Sequence, residues 1–265
     1  MARPWTEAEK EYYRDELVKL YTDQNKTIDE VGSILNIKPA TVYDRLRRLN
    51  IVINKESKAH YLNHRTDVTI PTEYSDDIAE FFGVMLGDGH LSHFQATVTL
   101  GIKERAYAEY VSDLMGAIFG PVGTISGRDN DKVVYLGSTR ATHWLESQGL
   151  VSNKVKFQVA APKWILTKTS YMERFIRGFF DTDGSVYRLR FGIQISLTNY
   201  SLPLLISLQR MLVALNYNVS AISRQRLYIT KISDVERFFR EIAPQNPKHN
   251  ERFRTFIIRY RDSHR

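Results

Sequence analysis

Apolar positions recur at helical spacing in the first part of the chain. Thr6 is a typical N-cap residue for a first helix, whose inward positions are Tyr13, Leu17 and Leu20. Thr27 predicts the start of a second helix, because Glu30 three residues later completes a capping box. The apolar face of this second helix is marked by Val31, Ile34 and Leu35.

A third helix is predicted directly after a short turn at Asn36 and Ile37. Pro39 begins it, at a position where a missing backbone N–H has no cost. Its inward residues are Val42, Leu46 and Leu49, and its outer surface carries Thr41, Tyr43, Asp44, Arg45, Arg47 and Arg48. A short helix, a tight turn and a basic second helix predict a helix-turn-helix domain over residues 1–50. The alternative is a plain three-helix bundle with a solvated polar face.

Residues 51–74 are polar and poorly periodic, with Pro71 near their end, which is typical of a linker. The remainder of the chain contains an internal repeat. The segments IAEFFGVMLGDGHL (78–91) and MERFIRGFFDTDGSV (172–186) each combine an apolar helical run, an internal glycine and a terminal Asp-Gly. Asp88 and Asp183 are 95 residues apart (183 − 88), and so are Gly83 and Gly178 (178 − 83). A repeat at fixed register predicts two halves of similar fold.

An alternating strand follows each copy of this motif. The apolar positions are Phe94, Ala96, Val98, Leu100 and Ile102 in the first half, and Leu189, Phe191, Ile193, Ile195 and Leu197 in the second. The intervening positions are mostly polar. One apolar and one polar face predict an antiparallel sheet that is covered on one side only.

The order of elements after these strands also repeats. We expect further strand pairs at 122–127 with 132–136 and at 219–223 with 226–232, and helices at 105–119, 141–148, 201–215 and 235–242. Each half therefore reads α-β-β-α-β-β-α, with boundaries at 75–166 and 167–265. The predicted fold class is α+β: two pseudo-symmetric halves with saddle-shaped antiparallel sheets, plus the small all-α domain.

Composition and net charge indicate which classes of binding partner to expect. The formal net charge is +7 and the isoelectric point about 9.4, which suits a polyanion such as nucleic acid. The absence of cysteine excludes disulfides and thiolate metal sites. No apolar run approaches the roughly 20 residues of a membrane helix, so we expect no membrane partner. A location in the cytoplasm with the nucleoid, or in an organellar matrix, is expected.

The two repeated segments resemble the motif that names the LAGLIDADG family. The resemblance is carried by FFGVMLGDG (81–89) and IRGFFDTDG (176–184), and KFQVAAPKWIL (156–166) and NPKHNERF (246–253) are also similar to family segments. It implies a homing endonuclease that cuts both strands of DNA at a specific site. The helix-turn-helix domain would be attached at its N-terminal side.

This resemblance assigns the metal-binding acids. Glycine lets the two motif helices approach closely, and parallel packing would bring Asp88 and Asp183 to one end. Mg²⁺ fits two such carboxylates, with Mn²⁺ as a substitute and Ca²⁺ as a non-catalytic one. The preceding residues, Gly87 and Thr182, complete the expected metal set. Leu86 stands where the second copy has Asp181, so Asp181 is expected to have a supporting or structural role.

Positive charge is also needed near the phosphates. Lys154 and Lys248 are equivalent across the repeat (248 − 154 = 94) and follow the last helix of each half, where the family places basic active-site residues. Lys103 and Lys231 end strands and are further candidates. Any of the four could instead be an ordinary surface charge.

The polar strand faces are the expected DNA surface. Strands of about 10 residues at roughly 3.3 Å each let two halves cover on the order of 20 base pairs or more. The candidate contacts are Gln95, Thr97, Arg128, Arg188, Arg190, Gln194, Ser196, Arg224, Arg226 and Tyr228, together with Thr41, Arg45, Arg47 and Arg48 of the first domain. Because the faces of the two halves differ, we expect a monomer acting on an asymmetric target.

Two other functions stay open. Regulators with a degenerate form of the same fold bind DNA without cutting it, although they lack one or both acids that this chain keeps. The family also contains RNA-splicing maturases, and a basic saddle does not distinguish them.

Overall fold

The computed structural model describes residues 6–24, 26–51, 53, 65–127 and 131–262. The chain forms two compact units, residues 1–62 and 63–265, each with its own apolar core. Within the described ranges, none of the helices combines the length and the apolar character that a membrane crossing requires.

The small unit is built from three α-helices: α1 (Glu7–Leu17), α2 (Ile28–Leu35) and α3 (Pro39–Arg48). A π-helical turn, Val18–Asp23, extends α1. Both helix starts carry the capping interactions expected from the sequence: the Thr6 and Thr27 hydroxyls accept hydrogen bonds from the backbone N–H groups of Glu9 and Glu30, respectively. Capping at these positions is confirmed.

The turn between α2 and α3 places Asn36 in the left-handed conformation, with φ of 51°. Val31, Val42, Leu46 and Leu49 are buried, but Ile34 is 53% exposed. On the predicted apolar face of α2, Val31 is buried and Leu35 is half-buried, so Ile34 lies on the exposed part of that face. Arg45 is not wholly available to a partner, since its guanidinium lies 4.0 Å from the centre of the Tyr13 ring.

The larger unit begins with residues that pack on its own core. Val68 is 3% exposed, and the Thr69 N–H donates to the carbonyl of Phe119 at 2.8 Å. This end of the expected linker is therefore part of the larger unit, whereas residues 54–64 lie outside the described ranges.

Two helical and strand series follow one another in the larger unit. The first half contains α4 (Asp76–Gly87), β1 (Gly89–Ser92), β2 (Gln95–Gly101), α5 (Arg105–Phe119), β3 (Thr124–Gly127), β4 (Asp131–Gly137) and α6 (Thr139–Ser147). A 3₁₀ turn, Lys163–Thr167, leads to the second half, which contains α7 (Thr169–Asp183), β5 (Gly184–Leu189), β6 (Gly192–Thr198), α8 (Leu202–Ala214), β7 (Arg226–Ile229) and α9 (Ile232–Glu241). A final helix, α10 (Pro247–Asp262), follows.

Each half has one antiparallel sheet. The strand order is β1-β2-β4-β3 in the first sheet and β5-β6-β7 in the second. The apolar positions at the middle of the strands are buried as predicted, whereas positions at the strand ends are not: Phe94 is 37% exposed and Phe191 75%. The α+β fold class is confirmed.

The second half departs from the predicted strand pattern at residues 219–223, which form no regular strand. The Ser220 N–H donates to the Tyr228 carbonyl at 2.9 Å, and the Ser220 carbonyl accepts the Gln209 side-chain amide at 2.9 Å. The Ser220 hydroxyl accepts the Tyr228 N–H at 3.0 Å. The Tyr228 N–H therefore bonds to a side chain instead of a backbone carbonyl. Backbone pairing here consists of the Ser220–Tyr228 hydrogen bond and a bridge between Ser223 and Arg226.

Candidate active site between the two motif helices

The motif helices α4 and α7 pack backbone to backbone. A Cβ atom on Gly83 would collide with the carbonyl oxygen of Phe175, and one on Gly178 would collide with that of Glu80. Towards the N-terminal ends of the two helices, Asp77 pairs with Arg174. Towards their C-terminal ends, Gly87 lies against Thr182. Contacts therefore advance in the same direction along both helices. The helices are parallel, and their C-terminal ends meet.

The two motif acids occupy these ends. Asp88 terminates α4 just before β1, and Asp183 is the last residue of α7 just before β5. The two carboxylates lie close enough for their negative charges to repel each other. One carboxylate oxygen of Asp183 accepts a hydrogen bond from the Asn199 side-chain amide at 2.9 Å. The parallel packing thus brings the repeated acids to one place.

Lys154 reaches the same place from the end of the first half. Its ammonium donates to the carbonyls of Met85, at 3.3 Å, and of Gly87. These carbonyls lie in the last turn of α4, where helix ends carry partial negative charge. Burial lowers the pKa of Lys154, although Asp183 and Asp88 oppose this effect.

Lys248 has a different partner. Its ammonium lies 2.6 Å from a carboxylate oxygen of Glu104, which also accepts the Asn246 side-chain amide at 2.6 Å. The second oxygen of Glu104 accepts the Gly101 N–H at 2.9 Å. Burial tends to raise the pKa of Glu104, but these hydrogen bonds together lower it below its ordinary value.

Glu104 and Asn199 are equivalent residues of the two halves, since they are separated by the repeat distance of 95 (199 − 104). Neither was among the residues expected at the site. The signal was present in the repeat offset, but the two residue types differ, so no shared chemistry pointed to them.

Asp181 is fully buried and holds the segment that precedes α10. Its two carboxylate oxygens accept the backbone N–H groups of Gln245, at 2.8 Å, and of Asn246, at 3.1 Å. The Asn246 amide also donates to the Asp181 carbonyl at 3.0 Å. Asp181 thereby fixes the chain two residues before Lys248. Its counterpart Leu86 is likewise buried but provides no such anchor.

The protein surroundings disfavour ionised carboxylates at this site. Burial, then repulsion from Asp88, raises the pKa of Asp183 to about 6, although Asn199 and the two lysines oppose it. Asp88 is partly open to solvent, but desolvation by the surrounding protein raises its pKa. Lys248 and Lys154 oppose this increase, and the negative charge of Glu104 adds to it. A cation between the acids would relieve this cost.

The donor set fits a divalent ion that keeps part of its water shell. No cluster of three metal-ligating side chains occurs among the described residues, so Asp88 and Asp183 would be supplemented by water and phosphate oxygens, as is usual for Mg²⁺. Gly87 and Thr182, the other residues of the expected metal set, also make hydrogen bonds within the protein. The Gly87 carbonyl accepts from Lys154, and the Thr182 hydroxyl donates within α7, to Gly178 and Phe179.

A groove of about 1120 Å³ extends from the site along the first half and α10. Lys103, Glu104 and Lys248 line it together with Arg252, so Lys103 shares a surface with Lys248. Lys231 does not line this groove. It is exposed at the N-cap of α9, and the expectation that it ends a strand was wrong, because β7 stops at Ile229.

The sheets present the expected polar residues on the faces opposite the core. Arg188, Arg190, Arg224 and Arg226 are exposed, and Gln95, Thr97, Gln194 and Tyr228 are partly exposed. Ser196 is only 5% exposed, because it lies between Ser185 and Tyr228 of the neighbouring strands. Arg128 lies outside the described residues.

Two residues on these polar surfaces were missed by the sequence analysis. Tyr135 pairs with Thr97 across the first sheet. Gln225 is exposed at the tip of the turn before β7, where both it and Arg224 have positive φ values, 61° and 47°. Left-handed conformation at two consecutive positions is typical of a tight hairpin turn.

Comparisons with known proteins agree with this geometry. Residues 170–243 match the family described as LAGLIDADG-like domain. A replication factor C small subunit from Methanocaldococcus jannaschii is 24% identical over 117 residues, which are 43% of this chain but only 6% of that protein.

Solved structures are also similar. The I-WcaI homing endonuclease bound to its DNA recognition sequence has a TM-score of 0.50 and 17% identity, covering 78% of this chain and 96% of that one. The N-terminal LAGLIDADG domain of DUF199/WhiA has a TM-score of 0.45 and 19% identity, covering 66% and 86%. I-DmoI in complex with DNA and Mn has a TM-score of 0.46 and 13% identity, covering 63% and 96%.

The parallel glycine-packed helices, the two antiparallel sheets and the family match at residues 170–243 lead to one conclusion: the chain has the LAGLIDADG homing endonuclease-type fold.

Proposed function

We propose that this protein is a divalent-metal-dependent endonuclease that cuts both strands of a long asymmetric DNA site. The observation that supports this best is the meeting of Asp88 and Asp183 at one end of the α4–α7 seam, with Lys154 and Lys248 beside them. A divalent ion bound there would supply Lewis-acid stabilisation and an activated water.

The protein residues have distinct roles in this proposal. Asp88 and Asp183 hold the ions, and Lys154 and Lys248 offset negative charge on the scissile phosphates. The polar sheet faces contact base edges and phosphates, with Arg and Gln suited to bidentate readout of guanine and adenine. The small unit contributes further DNA contacts through the exposed side of α3, where Arg47 and Arg48 are exposed.

A cleavage selection on a randomised DNA library with Mg²⁺ tests the proposal. The wild type is expected to yield one family of asymmetric cut sites. Asp88→Asn and Asp183→Asn should abolish cutting while binding in Ca²⁺ persists, because only the metal ligands are lost. Asp113→Asn is the matched control, since it removes an equally charged but exposed acid of α5.

Specific binding without any cleavage in Mg²⁺ or Mn²⁺ would instead favour the non-cutting DNA regulator. Cleavage-independent, selective binding of folded RNA would favour the maturase. Retained cutting by either acid variant would falsify the assignment of the metal ligands.

A further inference from the structure

The two halves of the candidate active site hold their lysines differently. Lys154 donates to neutral backbone carbonyls of α4, whereas Lys248 is paired with the carboxylate of Glu104 at 2.6 Å. At the position equivalent to Glu104, the second half has the uncharged Asn199, which donates to Asp183. The pseudo-symmetric pairs of acids and lysines are therefore surrounded by unequal charge.

The Glu104 side chain is held firmly in this arrangement. Its oxygens accept from the Gly101 N–H and the Asn246 amide as well as contacting Lys248. Asn246 is itself held by the buried Asp181. The ion pair thus belongs to a connected network and is partly buried, with Glu104 17% and Lys248 33% exposed.

The consequence for a bound phosphate follows from electrostatics. A phosphate beside Lys154 meets an ammonium group whose own hydrogen bonds go to neutral carbonyls. A phosphate beside Lys248 must compete with Glu104 for the same ammonium group. Hydrogen bonds to charged groups are stronger than those between neutral groups, so this competition weakens stabilisation of the transition state at one strand.

We propose that Glu104 is a positioning residue that restrains Lys248 and so makes the two strand cuts unequal in rate. This inference rests on the proposed endonuclease function. The strand whose phosphate lies beside Lys248 is cut second, and nicked DNA accumulates as an intermediate.

Strand-resolved cleavage of a duplex labelled differently on each strand tests this, using a site recovered from the library selection. In the wild type the two rates should differ. Glu104→Gln removes the charge at nearly constant shape and should raise the slower rate on the order of tenfold, leaving the faster rate unchanged. Glu104→Asn, which copies the other half, should act in the same direction, and Glu104→Asp should retain the unequal rates.

Coupling to Lys248 separates positioning from a structural effect. Lys248→Met should slow the second cut, and adding Glu104→Gln to Lys248→Met should then give no acceleration, because the residue acts through the lysine. Glu146→Gln, an exposed acid of α6, is the charge-matched control and should alter neither rate.

Three results would overturn the inference while leaving the endonuclease proposal intact: equal strand rates in the wild type, an unchanged rate ratio in Glu104→Gln, or a further loss of the slower cut. The last would show that Glu104 assists directly rather than restrains. If the wild type cuts neither strand of any library member, the proposed function fails and the inference fails with it.

Discussion

Gly83 of α4 and Gly178 of α7 each face the backbone of the opposite helix, where a Cβ atom would overlap a carbonyl oxygen. This contact sets the distance between the two motif helices. It therefore also sets the distance between the acids at their ends, which links the packing of the fold to its chemistry.

Gly83→Ala and Gly178→Ala should each reduce the free energy of unfolding by at least about 1–3 kcal/mol, the usual cost of overpacking. The atoms that the added methyl groups would meet belong to the backbone of the opposite helix, so the helices must separate. Denaturant unfolding measures the effect. Gly192→Ala is the control, because its added methyl would meet nothing within 4 Å; equal losses in the control would contradict the seam explanation.

Removing one acid should stabilise the metal-free protein at neutral pH. Because the pKa of Asp183 is raised to about 6, ionisation is harder in the folded than in the unfolded state, and stability is lost as pH rises from about 4 to 6. Asp183→Asn removes this loss. The rise from 3.8 to about 6 corresponds to an upper limit of about 3 kcal/mol.

Thermal unfolding in EDTA across pH 4 to 8 checks this prediction. The variant should be more stable than the wild type at pH 7, and the difference should shrink towards pH 4. Added Mg²⁺ should stabilise only the wild type. A variant that is less stable at pH 7 would show that burial and repulsion do not penalise the ionised Asp183.

The buried charges in the α4–α7 seam give a prediction independent of DNA. Glu80 is fully buried, accepts the Tyr110 hydroxyl at 2.5 Å and lies 2.9 Å from Arg174, with Arg177 at 3.6 Å. Arg174→Met leaves a buried carboxylate less compensated and should cost about 3–5 kcal/mol in unfolding free energy.

The exposed pair Arg105 and Glu109 is the matched comparison, with 3.0 Å between its charged atoms. Arg105→Met should cost less than about 1 kcal/mol, since exposed ion pairs contribute little. Similar losses in both variants would mean that burial of Glu80 is unimportant.

The arginines of α3 should have different roles, one in DNA binding and one in stabilising the small unit. Arg47 is exposed, whereas Arg45 stacks on Tyr13. Arg47→Ala is expected to weaken DNA binding and reduce its salt dependence, because one fewer phosphate is neutralised. Arg45→Ala should chiefly lower the stability of the small unit. Binding measured at several salt concentrations and thermal unfolding distinguish the two, and an unchanged salt slope in Arg47→Ala would argue against DNA contact by α3.

Much of the architecture followed from the repeat. Because Asp88 and Asp183 share a register with Gly83 and Gly178, the sequence indicated that the two motif helices are equivalent. Their parallel packing was only a condition of the metal-site prediction, and the structure confirms it. The alternation of apolar and polar residues was sufficient to predict the central strands of both sheets and their buried faces. What sequence periodicity could not reveal was side-chain competition for backbone partners, as at Ser220, where a hydroxyl and a glutamine amide disrupt the expected strand.

The candidate site was predictable only where the halves agree. The sequence identified Lys154 and Lys248 as equivalent residues, yet their partners differ. Lys248 pairs with an acid, and Lys154 donates to helix carbonyls. Glu104 and Asn199 were missed for the same reason. Lys231 was misplaced because β7 ends early and α9 begins at once.

The anchor formed by Asp181 has a consequence for rebuilding this protein from a single half. A homodimer made from two copies of the second half would inherit the Asp181 anchor twice, and both copies could hold their basic segment. Two copies of the first half would inherit Leu86 instead and would leave the corresponding backbone N–H groups without an acidic acceptor. The second half therefore carries an anchor that a symmetric dimer of first halves would lack.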